Sequence, residues 1–254
     1  QLPVKRGEEI GKAGNSGSSG GPHVHFEIRK TATQETQNVV AMGMIPAFDD
    51  IAPLFMRVHY IEVDTVQGVA VNSRPKTLGV KRETPTTYTA ASTEPLGVGA
   101  KGYFVLEASD RRNNVSNTFG LYRVTARIDG EVFYEYLMDG FTFDLSRYCN
   151  AVSYYPIKRR SRNEVFRMAQ LDGNIFPYSK MVNRGIITTR KGETRTIEIE
   201  LEDERKNIST LTFRIEGRGD EASFRAKVDS TAVVANNRST FNYSADGLSI
   251  RIPA

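Results

Sequence analysis

The chain of 254 residues reads as all-β, with tandem β-sandwich modules of the immunoglobulin type over most of its length. Three observations predict this. Short runs with period-two alternation recur from Leu54 onward, turn residues punctuate them, and no long amphipathic helix interrupts the series.

Residues 1–50 differ in texture from the rest. Gly7, Gly11, Gly14, Gly17, Gly20 and Gly21 crowd the first 21 positions, and two of the three histidines lie close behind them. Pro46, the pair Asp49-Asp50 and Pro53 mark the end of this unit and a short linker. Strands are then expected at Leu54–Asp64 and Gly102–Ala108, each with the pattern of a half-buried strand. Leu121–Ile128 and Glu131–Leu137 flank Asp129-Gly130, a dipeptide suited to a two-residue hairpin turn. Thr196–Leu201, Leu211–Ile215, Ser223–Val228 and Leu248–Ile252 continue the series, with a further turn at Asp246-Gly247.

An internal echo supports repeated modules. Leu106–Ser116 can be laid on Ile199–Ser209 at an offset of 93 residues, Asp110 against Asp203, about the length of one sandwich. In each copy a strand ends at Asp, passes a polar turn to Asn (Asn114, Asn207) and re-enters a strand. Asp and Asn suit that turn because their side chains bond nearby backbone groups. The expected units are therefore 1–50, 51–146, 147–217 and 218–254, with truncation expected at both ends.

Composition narrows the function. Lys and Arg exceed Asp and Glu by four, but the two signs are interleaved, so a solvated mixed surface is expected and nucleic-acid binding is not. The single cysteine, Cys149, excludes an intrachain disulfide framework and any Cys-based zinc module. The longest apolar run, Val39–Phe48, is about half a bilayer span and holds Gly43 and Pro46, so no membrane span is expected. The basic run Lys158–Arg162 reads as a solvated loop.

Chemistry concentrates in one segment. Gly14-Asn15-Ser16-Gly17-Ser18-Ser19-Gly20-Gly21-Pro22 is a loop by composition, and it leads into His23-Val24-His25-Phe26-Glu27-Ile28, which alternates like a strand. Period two puts His23, His25 and Glu27 on one face. Imidazole binds zinc and exchanges protons near neutral pH. The same pattern also fits two half-exposed sheet histidines, and the glycine-rich rim is what favours ligand chemistry. A phosphate loop is excluded, because no Gly-Lys-Ser/Thr follows the glycines. His59 sits within an alternating strand and reads as an ordinary sheet residue.

Val4–Gly11, Gly14-Asn15-Ser16-Gly17 and Gly21-Pro22-His23-Val24-His25-Phe26-Glu27-Ile28-Arg29 together resemble the C-terminal end of lysostaphin-type (LytM-like) zinc metallopeptidases. That resemblance implies a peptidase β-domain ending near residue 45, acting on peptide crosslinks of peptidoglycan with one zinc held by two His and one Asp. It further implies that His25 is a metal ligand and that His23 acts in catalysis, with Glu27 available to orient a ligand. The family's upstream His-x-x-x-Asp motif is absent from these residues. Zinc is therefore expected in the intact parent protein but not in this chain alone, which is expected to be inactive. Some relatives with incomplete ligand sets are non-catalytic binders, and the residues present leave both readings open. The implied setting is the bacterial cell envelope, periplasmic or secreted, with peptidoglycan peptides or another envelope protein as partner. Leu106–Asp110, Gly120–Val124 and Phe141–Asp144 with Arg147-Tyr148 resemble, more loosely, the β-rich region that follows the peptidase domain in Bacteroidetes-type members.

Overall fold

The computed structural model describes residues 3–17, 19–45, 48–66, 69–219, 241–245 and 248–252. The expected strand Ser223–Val228 and turn Asp246-Gly247 lie outside them.

The principal strands are β1 (Leu54–Val66), β2 (Lys76–Arg82), β3 (Thr87–Ala90), β4 (Leu96–Val98), β5 (Lys101–Arg111), β6 (Arg123–Ile128), β7 (Glu131–Leu137), β8 (Glu164–Arg167), β9 (Thr194–Glu202) and β10 (Ile208–Gly217). They form one hydrogen-bonded path in the order β8, β5, β1, β2, β3, β10, β9, β6, β7. The sheet is mostly antiparallel, but β10 runs parallel to β3 and β4. Strand β2 turns the corner: its first half pairs with β1 and its second half with β3.

The path curls so that its two halves face each other across a single core. Phe55, Tyr60, Phe104 and Leu106 from one half meet Tyr88, Ile199, Leu211 and Phe213 from the other. Edge-to-face rings bridge the halves, with Phe104 and Phe213 centroids 5.5 Å apart and Phe55 and Tyr88 5.1 Å apart. The chain is all-β, as expected, and among the described residues helix is confined to short turns between Phe143 and Lys158 and at Val182–Gly185. The expected boundary between 146 and 147 coincides with no break in the path, because β9 pairs with β6 from Ile197↔Ile128 to Glu202↔Arg123. Burial of apolar faces explains this. The inward residues of β6 and β9, among them Val124, Ala126, Ile197 and Ile199, share one core.

β5 departs from the half-buried expectation: both its faces are buried from Gly102 to Asp110. Phe104, Leu106 and Ala108 face the main core, while Tyr103 and Val105 join a second cluster with Ile61, Tyr154, Val165 and Ala169. The outer face is thus covered by the segment carrying Tyr154 and β8. His59 and Glu107, buried on that side, are paired. His59 Nε2 lies 2.9 Å from Glu107 Oε1, and its Nδ1 lies 2.9 Å from Thr77 Oγ1. Ser161 donates to the other Glu107 oxygen at 3.0 Å. His59 is a sheet residue, as its pattern indicated.

Residues 28–50 dock the N-terminal segment onto this body. Arg29 bridges to Thr36, and Gln37 N–H donates to the Ile28 carbonyl at 2.9 Å, closing a small hairpin. Thr36-Gln37 then pairs with Gly140-Phe141, and the Arg29 guanidinium lies over the Phe143 ring at 4.3 Å. Beyond it, Asn207 Nδ2 donates to the Asp49 carbonyl at 3.1 Å.

Candidate active site

The glycine-rich segment is a loop, with Gly17 at φ +80°, in the left-handed region that glycine tolerates. Its backbone is tied to the histidine segment where His23 N–H donates to the Gly14 carbonyl at 3.0 Å. Between the bridge positions His23 and Arg29 the chain carries no ladder pairing, so the expected strand is an extended segment instead. Val24 and Phe26 are exposed, and no neighbouring strand covers their face among the described residues. A strand needs a partner on at least one edge, and here local alternation had none.

The loop holds His23 Nδ1 against two hydrogen-bonding groups. Its Nδ1 lies 3.2 Å from the Gly21 carbonyl and 3.0 Å from Ser19 Oγ, while Ser19 Oγ donates to the same carbonyl at 2.7 Å. A carbonyl only accepts, and the single Ser19 proton is already committed to it. A neutral His23 ring with its proton on Nδ1 would donate it to that carbonyl, and its Nε2 would then carry the lone pair. That is the form of imidazole able to take a proton or bind a metal.

His25 and Glu27 come together as their shared face requires. His25 Nε2 lies 3.8 Å from Glu27 Oε2, and His25 remains largely solvent-exposed. Glu27 is also bonded to Arg29. The Arg29 hydrogen bond holds the Glu27 carboxyl below the usual carboxylate range, against a smaller desolvation effect, with His25 adding to the lowering. Glu27 thus stays ionised beside His25, where a carboxylate can orient the imidazole. Sequence pattern identified all three residues, but the part played by Ser19 and Arg29 emerges only from the fold.

Zinc in a catalytic site takes three protein ligands. His23, His25 and Glu27 do not supply that set, since Glu27 is engaged by Arg29 and no further ligating side chain joins the histidines among the described residues. Three ligand-type side chains do converge elsewhere, at Asp49, Asp110 and Asp203. One concavity on the body, about 390 Å³, is lined by Tyr122, Tyr136, Cys149 and Phe166 and by neither histidine.

Residues 2–39 match the family model of Peptidase family M23. The match ends within the hairpin that docks on the β body and contains both histidines, Glu27 and Arg29. It supports a peptidase-related origin for this stretch, in line with the lysostaphin-type resemblance. The β body from Leu54 onward lies outside the matched residues. No curated protein matches the chain.

Proposed function

We propose that this chain is the C-terminal portion of a zinc metalloendopeptidase that cuts peptide crosslinks of peptidoglycan in the bacterial envelope, with the β body as an accessory module. The observation that carries this reading is the His23-Val24-His25 run within the M23 match, with His23 Nδ1 against the Gly21 carbonyl and His25 beside an ionised Glu27. In this reading His25 is a metal ligand and His23 the catalytic imidazole. The remaining ligands come from outside these 254 residues, so the chain by itself is not assigned a catalytic step.

Complementation tests the proposal. The full chain is mixed with a polypeptide carrying the His-x-x-x-Asp half of an M23 domain, and zinc binding and release of crosslink peptides are followed. Restored zinc binding and cleavage are expected, both lost in His25→Ala. His23→Ala should keep zinc and lose roughly 100-fold or more in rate, the usual contribution of a positioned acid-base group. Tight one-to-one zinc binding by the unmixed chain, lost in His25→Ala, would show the site to be complete and overturn the split assignment.

The incomplete ligand set favours a second reading, a non-catalytic envelope binding or scaffold protein with a degenerate peptidase segment. Retention of the chain on peptidoglycan, with no cleavage in a zinc-saturated mixture, is the outcome that selects it.

A further inference from the structure

We infer that Asp49, Asp110 and Asp203 form a calcium site that fastens the N-terminal segment to the β body. The three residues come from distant parts of the chain: the linker after the docking hairpin, the end of β5, and the turn after β9. One carboxylate oxygen from each lies within 4.8 Å of the others. Two oxygens on opposite sides of a bound Ca²⁺ stand about 4.6–5.2 Å apart, given Ca–O distances of 2.3–2.6 Å, so one ion can serve all three.

The decisive observation is Asp110. It is fully buried, neither of its carboxylate oxygens makes a hydrogen bond of good geometry among the described residues, and the neighbouring Arg111 amide offsets only part of the cost of that burial. Asp49 Oδ2 is likewise buried and unpartnered. Asp203 is held in place: its Oδ1 accepts from the Arg205 and Asn207 amides at 2.7 and 2.9 Å, and its Oδ2 accepts from Asn207 Nδ2 at 2.7 Å. A carboxylate oxygen has two lone pairs, so these bonds orient Asp203 without exhausting it.

Neighbouring cations make contacts other than with the three aspartates. Arg112 pairs with Glu204, Lys206 with Glu202, and Arg205 donates to the Ile45 carbonyl. No Lys or Arg pairs with the three aspartates among the described residues. Burial pushes the Asp110 carboxyl up to about 7 against the opposing Arg111 amide, and the charges of Asp203, Asp49 and Glu204 add to the rise. An ion would remove that repulsion. An all-oxygen donor set selects a hard cation over zinc, and a buried, irregular arrangement suits Ca²⁺ better than Mg²⁺, which keeps several waters in octahedral order.

Titration of the EDTA-stripped full chain with Ca²⁺ tests this, followed by calorimetry and thermal unfolding at neutral to mildly alkaline pH. One ion per chain is expected. At a hundredfold excess over Kd, the unfolding midpoint should rise by roughly 5–10 °C. Asp110→Asn should abolish the response, and Asp49→Asn, on the partly exposed linker, should weaken binding at least tenfold. His25→Ala should respond to Ca²⁺ like the parent, so this result is independent of the peptidase reading. An unchanged midpoint and no binding heat in the parent chain overturn the site, as does an Asp110→Asn chain that still binds. Response to Mg²⁺ without response to Ca²⁺ overturns the ion assignment. If Asp110→Asn does not fold, the parent titration and Asp49→Asn decide. A metal-insensitive parent alongside a stabilised Asp110→Asn would identify instead a cluster that shares a proton.

Discussion

Glu107 shows how a side chain that sequence marks as polar becomes structural. It is almost completely buried, yet His59, Ser161 and Arg57 surround it. Desolvation opposes its charge, but the hydrogen bonds from His59 and Ser161 outweigh it and hold the carboxyl below its usual 4.5. The native carboxyl therefore binds protons less readily than the unfolded one. Its contribution to stability is present above pH 4.5 and is lost as pH falls through the lower native value. Urea unfolding at a series of pH values should show this acid limb, and Glu107→Gln should flatten it. Tyr134 presents the converse case. Its ring is fully buried and its hydroxyl has no partner among the described residues. Tyr134→Phe is expected to raise stability by about 1 kcal/mol, measured as a higher urea midpoint at unchanged slope.

The β6–β7 hairpin is the clearest local success of the sequence pattern. Asp129 and Gly130 adopt φ values of +51° and +88°, the two left-handed positions of the expected turn. What the dipeptide did not foretell is that Asp129 reaches across to β9. Its carboxylate accepts from the Arg195 guanidinium and the Thr196 amide, both at 2.8 Å. The Arg195 hydrogen bond leads in holding that carboxyl below its usual range. Asp129→Asn should keep the turn and lose part of the cross-strand contact, costing about 1 kcal/mol by denaturant unfolding. Gly102 has a different constraint. A Cβ there would collide with the Tyr60 ring and the Ile61 carbonyl, so Gly102→Ala should lower the unfolding midpoint by several degrees.

Other elements were hidden for identifiable reasons. β2 mixes Thr77, Gly79 and Lys81 with its few apolar residues, and β4 is three residues long, so neither carries a readable alternation. β8 owes its strand state to pairing with β5 from Glu164↔Ala108 to Arg167↔Val105. The histidine segment shows the opposite error. Its alternation is clear, but no edge is available to pair with it among the described residues, and only its bridge positions form.

The strand path ties together segments that the sequence read as separate modules. Because β1–β7 and β9–β10 enclose one core, they should unfold in a single cooperative transition. Thermal unfolding followed separately by ring absorbance and by backbone dichroism should give coincident curves. Two well-separated transitions would instead restore a boundary near residue 146. The echo between Leu106–Ser116 and Ile199–Ser209 also takes on a spatial meaning. It places Asp110 and Asp203 at the same corner, against the Asp49 linker.

Local chemistry could be read from residue order alone. The all-β class, the Asp129-Gly130 turn, the glycine loop and the His-x-His run each depend on neighbours within a few positions, and periodicity or turn preference reports such neighbours directly. Strand partners, the covering of both faces of β5 and the meeting of three aspartates across some 150 residues depend on which faces must be buried together. Burial is a property of the folded whole, so only the tertiary structure could decide that this corner of acids exists and that the M23-like segment is docked beside it.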